Sequence, residues 1–219
     1  MTAGEFTWLA PSNIKVDSKN AVYDFTAYLP ATEEEALKVL KDHGLDKVTG
    51  DGAASWVWNS NTGAADFNYV AKMDKVVDLD MTLGFGNFKL KEIAAAMEEG
   101  DSDAVLSRGA FKNFSLKIAD EKALDAVFAL AGLQMGSSGE ELRASAPTMI
   151  RLSGGQVAQM NPRISEYVNA VADFVAKGGS LEIAAKPAEA VPFAKLQSTG
   201  TTAPQTMPDV LDLKVTHKE

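Results

Sequence analysis

Apolar and polar residues alternate along five stretches of the first hundred positions. In each stretch every second side chain is apolar, which is the period of a strand that buries one face. The predicted strands span residues 14–16, 22–29, 53–58, 64–70 and 77–85. A polar turn is expected at 17–20, and the Asn- and Gly-rich residues 59–63 predict a hairpin. Because Asp78 and Asp80 alternate with apolar residues, we expect one sheet face to meet water, which favours antiparallel pairing.

Helical periodicity appears between and after these strands. Thr32 to Glu35 form a capping box before an apolar stripe, so a helix is predicted over 33–43. Further helices are predicted over 91–99, from Asp120 to Gly132, from Ser138 with a kink or break at Pro147, and from Asn161-Pro162 to Gly178. Further short strands are predicted at 88–90, 114–118, 181–185 and 211–215.

These elements predict one α+β domain over residues 1–219. Strands precede and alternate with helices, and no Gly-rich strand-to-helix turn marks a nucleotide-binding α/β sheet. We therefore expect a curved antiparallel sheet with helices packed on one face. The stretch 186–209, rich in Pro, Ala, Thr and Ser, is interpreted as a loop-rich part of this domain.

Charge and composition narrow the range of partners and cofactors. The 219 residues include 21 Lys plus Arg and 30 Asp plus Glu, a net charge of −9. The basic residues are scattered, so we expect no nucleic acid partner. Cysteine is absent, and His43 and His217 are the only histidines, both expected to be exposed, so neither a metal nor a cofactor is expected. No apolar run reaches the length of a transmembrane span, and the N terminus lacks the pattern of a signal peptide.

One short motif matches a known nucleotide-binding peptide. Residues 152–156 read Leu-Ser-Gly-Gly-Gln, as in the signature peptide of ABC-type ATPases. That chemistry also needs a Gly-x-x-x-x-Gly-Lys-Ser/Thr phosphate loop, which the sequence does not contain. We therefore interpret Gly154 and Gly155 as the end of a helix. No serine lies in a Gly-x-Ser-x-Gly motif, so no catalytic residue is predicted.

Four aromatic residues form the strongest candidate for a binding surface. Trp56 and Trp58 lie on one face of a predicted strand, and the hairpin would bring them near Phe67 and Tyr69 of the facing strand. Such clusters belong most often to a core; otherwise they provide a platform for an apolar ligand, a partner or a membrane interface. These four residues are the predicted ligand-binding residues.

The C-terminal part contains two short strings that are similar to a known group of proteins. Residues 180–187 read Ser-Leu-Glu-Ile-Ala-Ala-Lys-Pro, and Val191-Pro-Phe193 follows. Together with the hairpin, the Asp-containing strand and the strand–helix units from about residue 45 onward, they resemble uncharacterised exported proteins of alphaproteobacteria. The resemblance implies a periplasmic location and a role in the cell envelope, if an export signal has been removed. Without such a signal, a cytoplasmic location is expected.

These patterns favour a protein without catalytic activity. We expect it to bind an apolar, lipid-like ligand or an envelope protein between the sheet and its helices, because apolar alternation is extensive and no catalytic set is evident. An interaction or scaffold module without a ligand cavity is the alternative, and it would show a filled interior and a flat exposed strand edge. An enzyme that uses carboxylates also stays open, and it would bring two carboxyl groups together in a cleft.

Overall fold

A computed structural model of the protein describes residues 1–4, 6–7, 10–28, 33–101 and 103–219. In these ranges the strands are β1 (Thr2–Ala3), β2 (Phe6–Thr7), β3 (Ala10–Pro11), β4 (Asn13–Asp24), β5 (Lys47–Trp58), β6 (Ala65–Met73), β7 (Val77–Gly86), β8 (Ala110–Asp120), β9 (Gly179–Ala185), β10 (Val191–Pro192) and β11 (Leu213–Lys218). The helices are α1 (Glu34–Asp42), α2 (Leu90–Glu98), α3 (Ala104–Arg108), α4 (Ala123–Met135), α5 (Gly139–Ala158), α6 (Pro162–Lys177), α7 (Phe193–Thr202) and α8 (Met207–Val210), with 3-10 helices at Phe25–Tyr28 and Pro204–Thr206. None of the described helices is long and apolar enough to cross a bilayer.

A large, open antiparallel sheet forms the centre of the fold. Its strand order is β1-β4-β5-β6-β7-β8-β9-β11, and β10 pairs with β8. Helix α6 packs on β9 and β11, and α5 packs on α6 and α4. The predicted α+β class, with a curved antiparallel sheet and helices on one face, is confirmed.

Several predicted elements are confirmed with shifted ends. The hairpin is present as β5 and β6, the third strand as β7, and the helix predicted over 33–43 as α1. Thr32, the first residue of the predicted capping box, lies outside the described residues. Helix α6 begins as predicted, because the side chain of Asn161 accepts a hydrogen bond from the backbone N–H of Arg163.

The first predicted strand and the start of the second form one strand, β4, which ends at Asp24. The strand predicted to continue through Phe25 is wrong there, because Phe25–Tyr28 form a 3-10 helix. The residues at 17–20 form a bulge against β5, not a turn. Asn20 has a φ of 50°, and Asp51 of β5 accepts hydrogen bonds from the Asn20 backbone N–H and the Lys19 ammonium group. These bonds keep the polar stretch in the sheet. Residues 29–30, at the end of the predicted second strand, lie outside the described residues.

The strand predicted at 88–90 is wrong. Helix α2 already begins at Leu90, and Phe88 lies in the loop before it. The Phe88 N–H donates to the carbonyl oxygen of Gly63 over 2.6 Å, and its own carbonyl oxygen accepts from the indole of Trp58 over 2.9 Å. Both backbone groups of Phe88 are thus hydrogen-bonded to the hairpin and take no part in strand pairing.

Gly132 does not end α4, as the sequence predicts. The helix continues to Met135 and ends at Gly136, whose φ is 65°. A Cβ on Gly132 would lie 2.7 Å from the backbone nitrogen of Gly139. The missing side chain therefore lets the start of α5 approach α4 closely.

Gly154 and Gly155 also lie inside a helix, so their interpretation as a helix end is wrong. Helix α5 continues through them and through Pro147, where a kink or break is expected. A Cβ on Gly154 would lie 2.3 Å from Cγ2 of Val168 in α6. The Leu-Ser-Gly-Gly-Gln peptide thus includes a close contact between two helices.

The stretch 186–209 contains more regular structure than predicted. It forms β10, α7 and α8, and the last strand begins at Leu213, after the predicted start. The ring of Phe193, the first residue of α7, packs edge-on against Phe85 of β7 with centroids 6.0 Å apart. This aromatic contact attaches α7 to the sheet.

Candidate functional site

The β5–β6 hairpin places three of the four predicted aromatic residues side by side. Trp56 pairs directly with Phe67, and Tyr69 lies two residues further along β6, opposite Ala54. Because alternate residues of a strand share a face, the three side chains lie on one surface. Each of them is half-buried.

Trp58 has different surroundings from its neighbour on the same strand face. It is 4% exposed, and its Nε1 donates a hydrogen bond to the carbonyl oxygen of Phe88 over 2.9 Å. Its pairing partner, Ala65, is also buried. Since its indole is enclosed and its donor is satisfied, Trp58 belongs to the core that borders the aromatic surface.

The surface of Trp56 extends across five strands, from β4 to β8. Strand pairing aligns two rows of side chains on the same face. We call this surface the apolar trough; it consists of Ile14, Trp56, Phe67, Leu83 and Phe114 in one row and of Val16, Ala54, Tyr69, Met81 and Leu116 in the other. All ten residues are half-buried, and neither row contains a charged side chain.

Buried apolar residues form three clusters around the sheet. Their members are Leu40, Leu45, Val48, Val76 and Ala126; Ile93, Ala96 and Ala104; and Ala170, Phe174 and Leu181. The first cluster joins α1 and α4 to one end of the strands, the second joins α2 and α3, and the third joins α6 to β9. Full burial stabilises a large apolar side chain by about 1.5 to 3 kcal/mol. These clusters therefore stabilise the contacts between the helices and the sheet, while the trough residues are less buried.

The chain exposes more surface than a compact protein of its mass. Its accessible area is 13050 Å², whereas a folded monomer of 23.3 kDa is expected to expose about 9,700 Å². Among the described residues, no large side chain is fully enclosed.

The opposite face of the same strands is polar, as the alternation of Asp78 and Asp80 predicts. Lys112, at a bulge in β8, contacts Asp66 of β6 over 3.0 Å. In the part of the chain that the structure describes, no group of three or more acidic or histidine side chains could hold a metal ion. This face is suited to solvent, which leaves the trough as the candidate site.

The two histidines are half-buried, which corrects the expectation that both are exposed. Nδ1 of His43 lies 2.9 Å from the carbonyl oxygen of Val39, and Nε2 of His217 lies 2.8 Å from that of Gly178. Each ring therefore contacts a helix end or its cap. A surface cavity of about 490 Å³ beside His43 is lined by Arg143, whose guanidinium is paired with Asp125.

A network of polar side chains fixes the start of α6 beside β11. Asn161 is 7% exposed, and its side chain amide donates to Asp209 over 3.1 Å. The guanidinium of Arg163 donates to Asp209 over 3.2 Å and to Asp212 over 3.1 Å. The hydrogen bond from Arg163 lowers the pKa of the Asp212 carboxyl. The network connects the start of α6 to the segment that leads into β11.

The sequence locates three aromatic residues of the trough but neither Phe114 nor its aliphatic residues. Ile14, Val16, Met81 and Leu83 were predicted on strands, with no role in binding. Their common surface depends on the register between strands, which a single sequence does not specify. The sequence signal that points to them is an apolar residue at every second position, which is repeated in each strand of the trough.

A family model matches most of the chain. The model, described as uncharacterized protein, covers residues 70–218. This stretch includes the strings at 180–187 and 191–193 on which the resemblance to a group of uncharacterised proteins rests. No curated protein and no solved structure is similar enough to the chain to count as a match.

Proposed function

The chain belongs to this family of uncharacterised proteins, and we propose that it binds an apolar, lipid-like ligand in the trough without catalysing a reaction. One observation carries the proposal: ten apolar side chains lie in register over five strands and stay half-buried. Ligand sites are largely apolar, and a row of half-buried apolar side chains offers surface that a ligand can cover. The trough therefore suits an apolar occupant better than water.

The proposal includes a location in the periplasm and a place among exported proteins of alphaproteobacteria. The resemblance of residues 180–187 and 191–193 supports it. An apolar ligand also needs a protein partner to cross an aqueous compartment, because its free solubility is low. Cell fractionation of the full-length protein, with periplasmic and cytoplasmic marker proteins, tests the location. Recovery with the cytoplasmic marker would contradict it.

Fluorescence titration with an apolar probe measures the affinity of the trough. The binding free energy is the gain from apolar burial, about 25 cal/mol per Å², less an association cost of about 4 to 15 kcal/mol.

Two substitutions on β5 test the site. Ala54→Trp fills the trough opposite Tyr69, whereas Ala53→Trp adds the same side chain to the polar face of the same strand. We expect Ala54→Trp to weaken the binding of an apolar fluorescent probe at least tenfold, and Ala53→Trp to leave it unchanged. Circular dichroism and thermal unfolding check that both variants fold. Equal binding by all three proteins, or no probe binding by the unchanged protein, would reject the proposal.

A second candidate function, an interaction module, is favoured by one observation. Helix α5 exposes Met149 by 64% and Leu152 by 73%, and Met160 just beyond it by 70%. Exposed apolar groups of this kind often mark protein interfaces, and methionine adapts to varied partners. A photo-crosslinking residue at Leu152 should yield discrete adducts in cells, with the same residue at the exposed Glu98 of α2 as the control. Identical crosslinking from both positions would argue against an interface on this side of α5.

A further inference from the structure

Exposed apolar side chains of the protein concentrate on α4, α5 and the turn that follows α5. In the part of the chain that the structure describes, most of the exposed large apolar residues lie there; they are Val127, Leu133, Met135, Met149, Leu152, Val157 and Met160. We call Met135, Met149 and Met160 the exposed methionine group; they are 70%, 64% and 70% exposed. A water-soluble oxidant therefore reaches these thioethers without any opening of the fold.

Methionine is the only sulfur-containing residue of the chain. The sequence has eight methionines and no cysteine, so no thiol competes for an oxidant. Hydrogen peroxide transfers one oxygen atom to Sδ: the S–O bond forms while the O–O bond breaks, and the second oxygen leaves as water with both hydrogen atoms. The sulfur loses the two electrons that the peroxide gains. The product is methionine sulfoxide, which is polar where the thioether was apolar.

Three other methionines lie in less accessible surroundings. Met73 packs against the buried cluster that joins α1 and α4 to the strands, Met81 lies in the trough, and Met207 begins α8; all three are half-buried. A sulfoxide at Met73 would place a polar group in apolar packing. A sulfoxide in the exposed methionine group stays hydrated. This group can therefore be oxidised while the core keeps its contacts.

We propose that Met135, Met149 and Met160 form a reversible oxidation site. Peroxides oxidise the three thioethers, and methionine sulfoxide reductases, which transfer electrons from thiols, restore them with release of water. Met149 lies three residues before Leu152 on the same side of α5, so its oxidation state changes the polarity next to this exposed leucine. The site lies on other elements than the trough and does not depend on a ligand there.

Site-resolved mass spectrometry after brief treatment with hydrogen peroxide measures the order of oxidation. We expect the exposed methionine group to gain oxygen on the order of tenfold faster than Met73, Met81 and Met207, because susceptibility follows exposure. The circular dichroism spectrum and the thermal midpoint of the same sample should stay unchanged. Equal rates at the two sets of methionines, or unfolding as the first set reacts, would overturn the proposal.

Hydrophobic-interaction chromatography of the folded protein measures the change in surface polarity. Oxidation should shorten the retention of the unchanged protein, and reductases for both sulfoxide epimers, with dithiothreitol, should restore it. Because the chain has no cysteine, dithiothreitol has no disulfide to reduce. Sulfoxides that these enzymes leave unreduced would contradict a reversible site.

A matched pair of variants assigns the retention change to the three positions. The triple variant Met135→Leu, Met149→Leu and Met160→Leu keeps apolar side chains but cannot form sulfoxides there, so it should lose most of the shift. The control Met97→Leu removes a methionine of α2 that is 53% exposed and should keep most of the shift. A shift of full size in the triple variant would overturn the proposal.

Discussion

The two adjacent glycines of α5 should respond to alanine in opposite directions. At Gly154 a Cβ would lie 2.3 Å from Cγ2 and 3.2 Å from Cβ of Val168. Valine is branched at Cβ and cannot rotate its methyl groups away without leaving its preferred rotamer. At Gly155 a new Cβ would meet nothing within 4 Å. Both glycines lie in the same helix and would receive the same substitution, so only the packing around them differs.

The expected magnitudes follow from these contacts. Overpacking a helix interface costs about 1 to 3 kcal/mol, so Gly154→Ala should lower the free energy of unfolding by about 1 to 2 kcal/mol after the helix-propensity gain is subtracted. Gly155→Ala should raise it by about 0.5 to 1 kcal/mol, because alanine has the higher helix propensity. Combining Gly154→Ala with Val168→Ala removes the clash and should recover part of the loss.

Urea unfolding followed by circular dichroism measures all four proteins under one condition. The expected order of stability places Gly155→Ala first, then the unchanged protein, then the double variant and Gly154→Ala. Equal effects at the two glycines would show that α5 and α6 do not pack as described. Loss of stability at Gly155 alone would contradict the assignment of Gly154 to the helix interface.

Three further changes test other parts of the structure. Asn161→Ala should lower the free energy of unfolding by about 1 to 2 kcal/mol in urea titrations, because α6 loses its N-cap; an unchanged midpoint would contradict this role. Trp58→Phe should cost about 2 kcal/mol, because the carbonyl oxygen of Phe88 loses its buried partner, and an unchanged thermal midpoint would place Trp58 outside the core. Arg163 lowers the pKa of Asp212 in the folded protein, so this pair stabilises the fold above the ordinary carboxyl pKa and the contribution disappears as pH falls through the lowered value. Arg163→Gln should therefore reduce the loss of stability between neutral and acidic pH, and an identical pH profile in the variant would refute the linkage.

Elements with short-range signals could be predicted from the sequence. The period of two in β5, β6 and β7 lies within each segment, and the Asn161-Pro162 cap of α6 needs no distant residue. The bulge at Asn20 depends on Asp51, which comes from the neighbouring strand. Local composition at 17–20 therefore indicates a turn, while the paired strand keeps the chain extended.

The candidate site shows the same division between local and distant signals. Trp56 and Trp58 share a strand face, so the sequence treats them alike. In the structure Trp58 is 4% exposed and its indole donates a hydrogen bond to the carbonyl oxygen of Phe88, thirty residues further on, whereas Trp56 is half-buried. Which aromatic residues stay accessible thus depends on contacts with residues that are distant in sequence. The two-residue period of a strand contains no information about such contacts.

The trough and the exposed side of α5 can be tested independently, because they lie on different elements. A ligand in the trough contacts β4 to β8, whereas the exposed residues Met149 and Leu152 lie on α5. If the chain carries a ligand, Ala54→Trp should weaken lipid binding at least tenfold and leave crosslinking at Leu152 intact. If it acts as an interaction module, Met149→Gln should weaken crosslinking from Leu152 and leave lipid binding intact. Loss of both properties in either variant would mean that one occupant spans the trough and α5, which would make the two candidate functions parts of a single site.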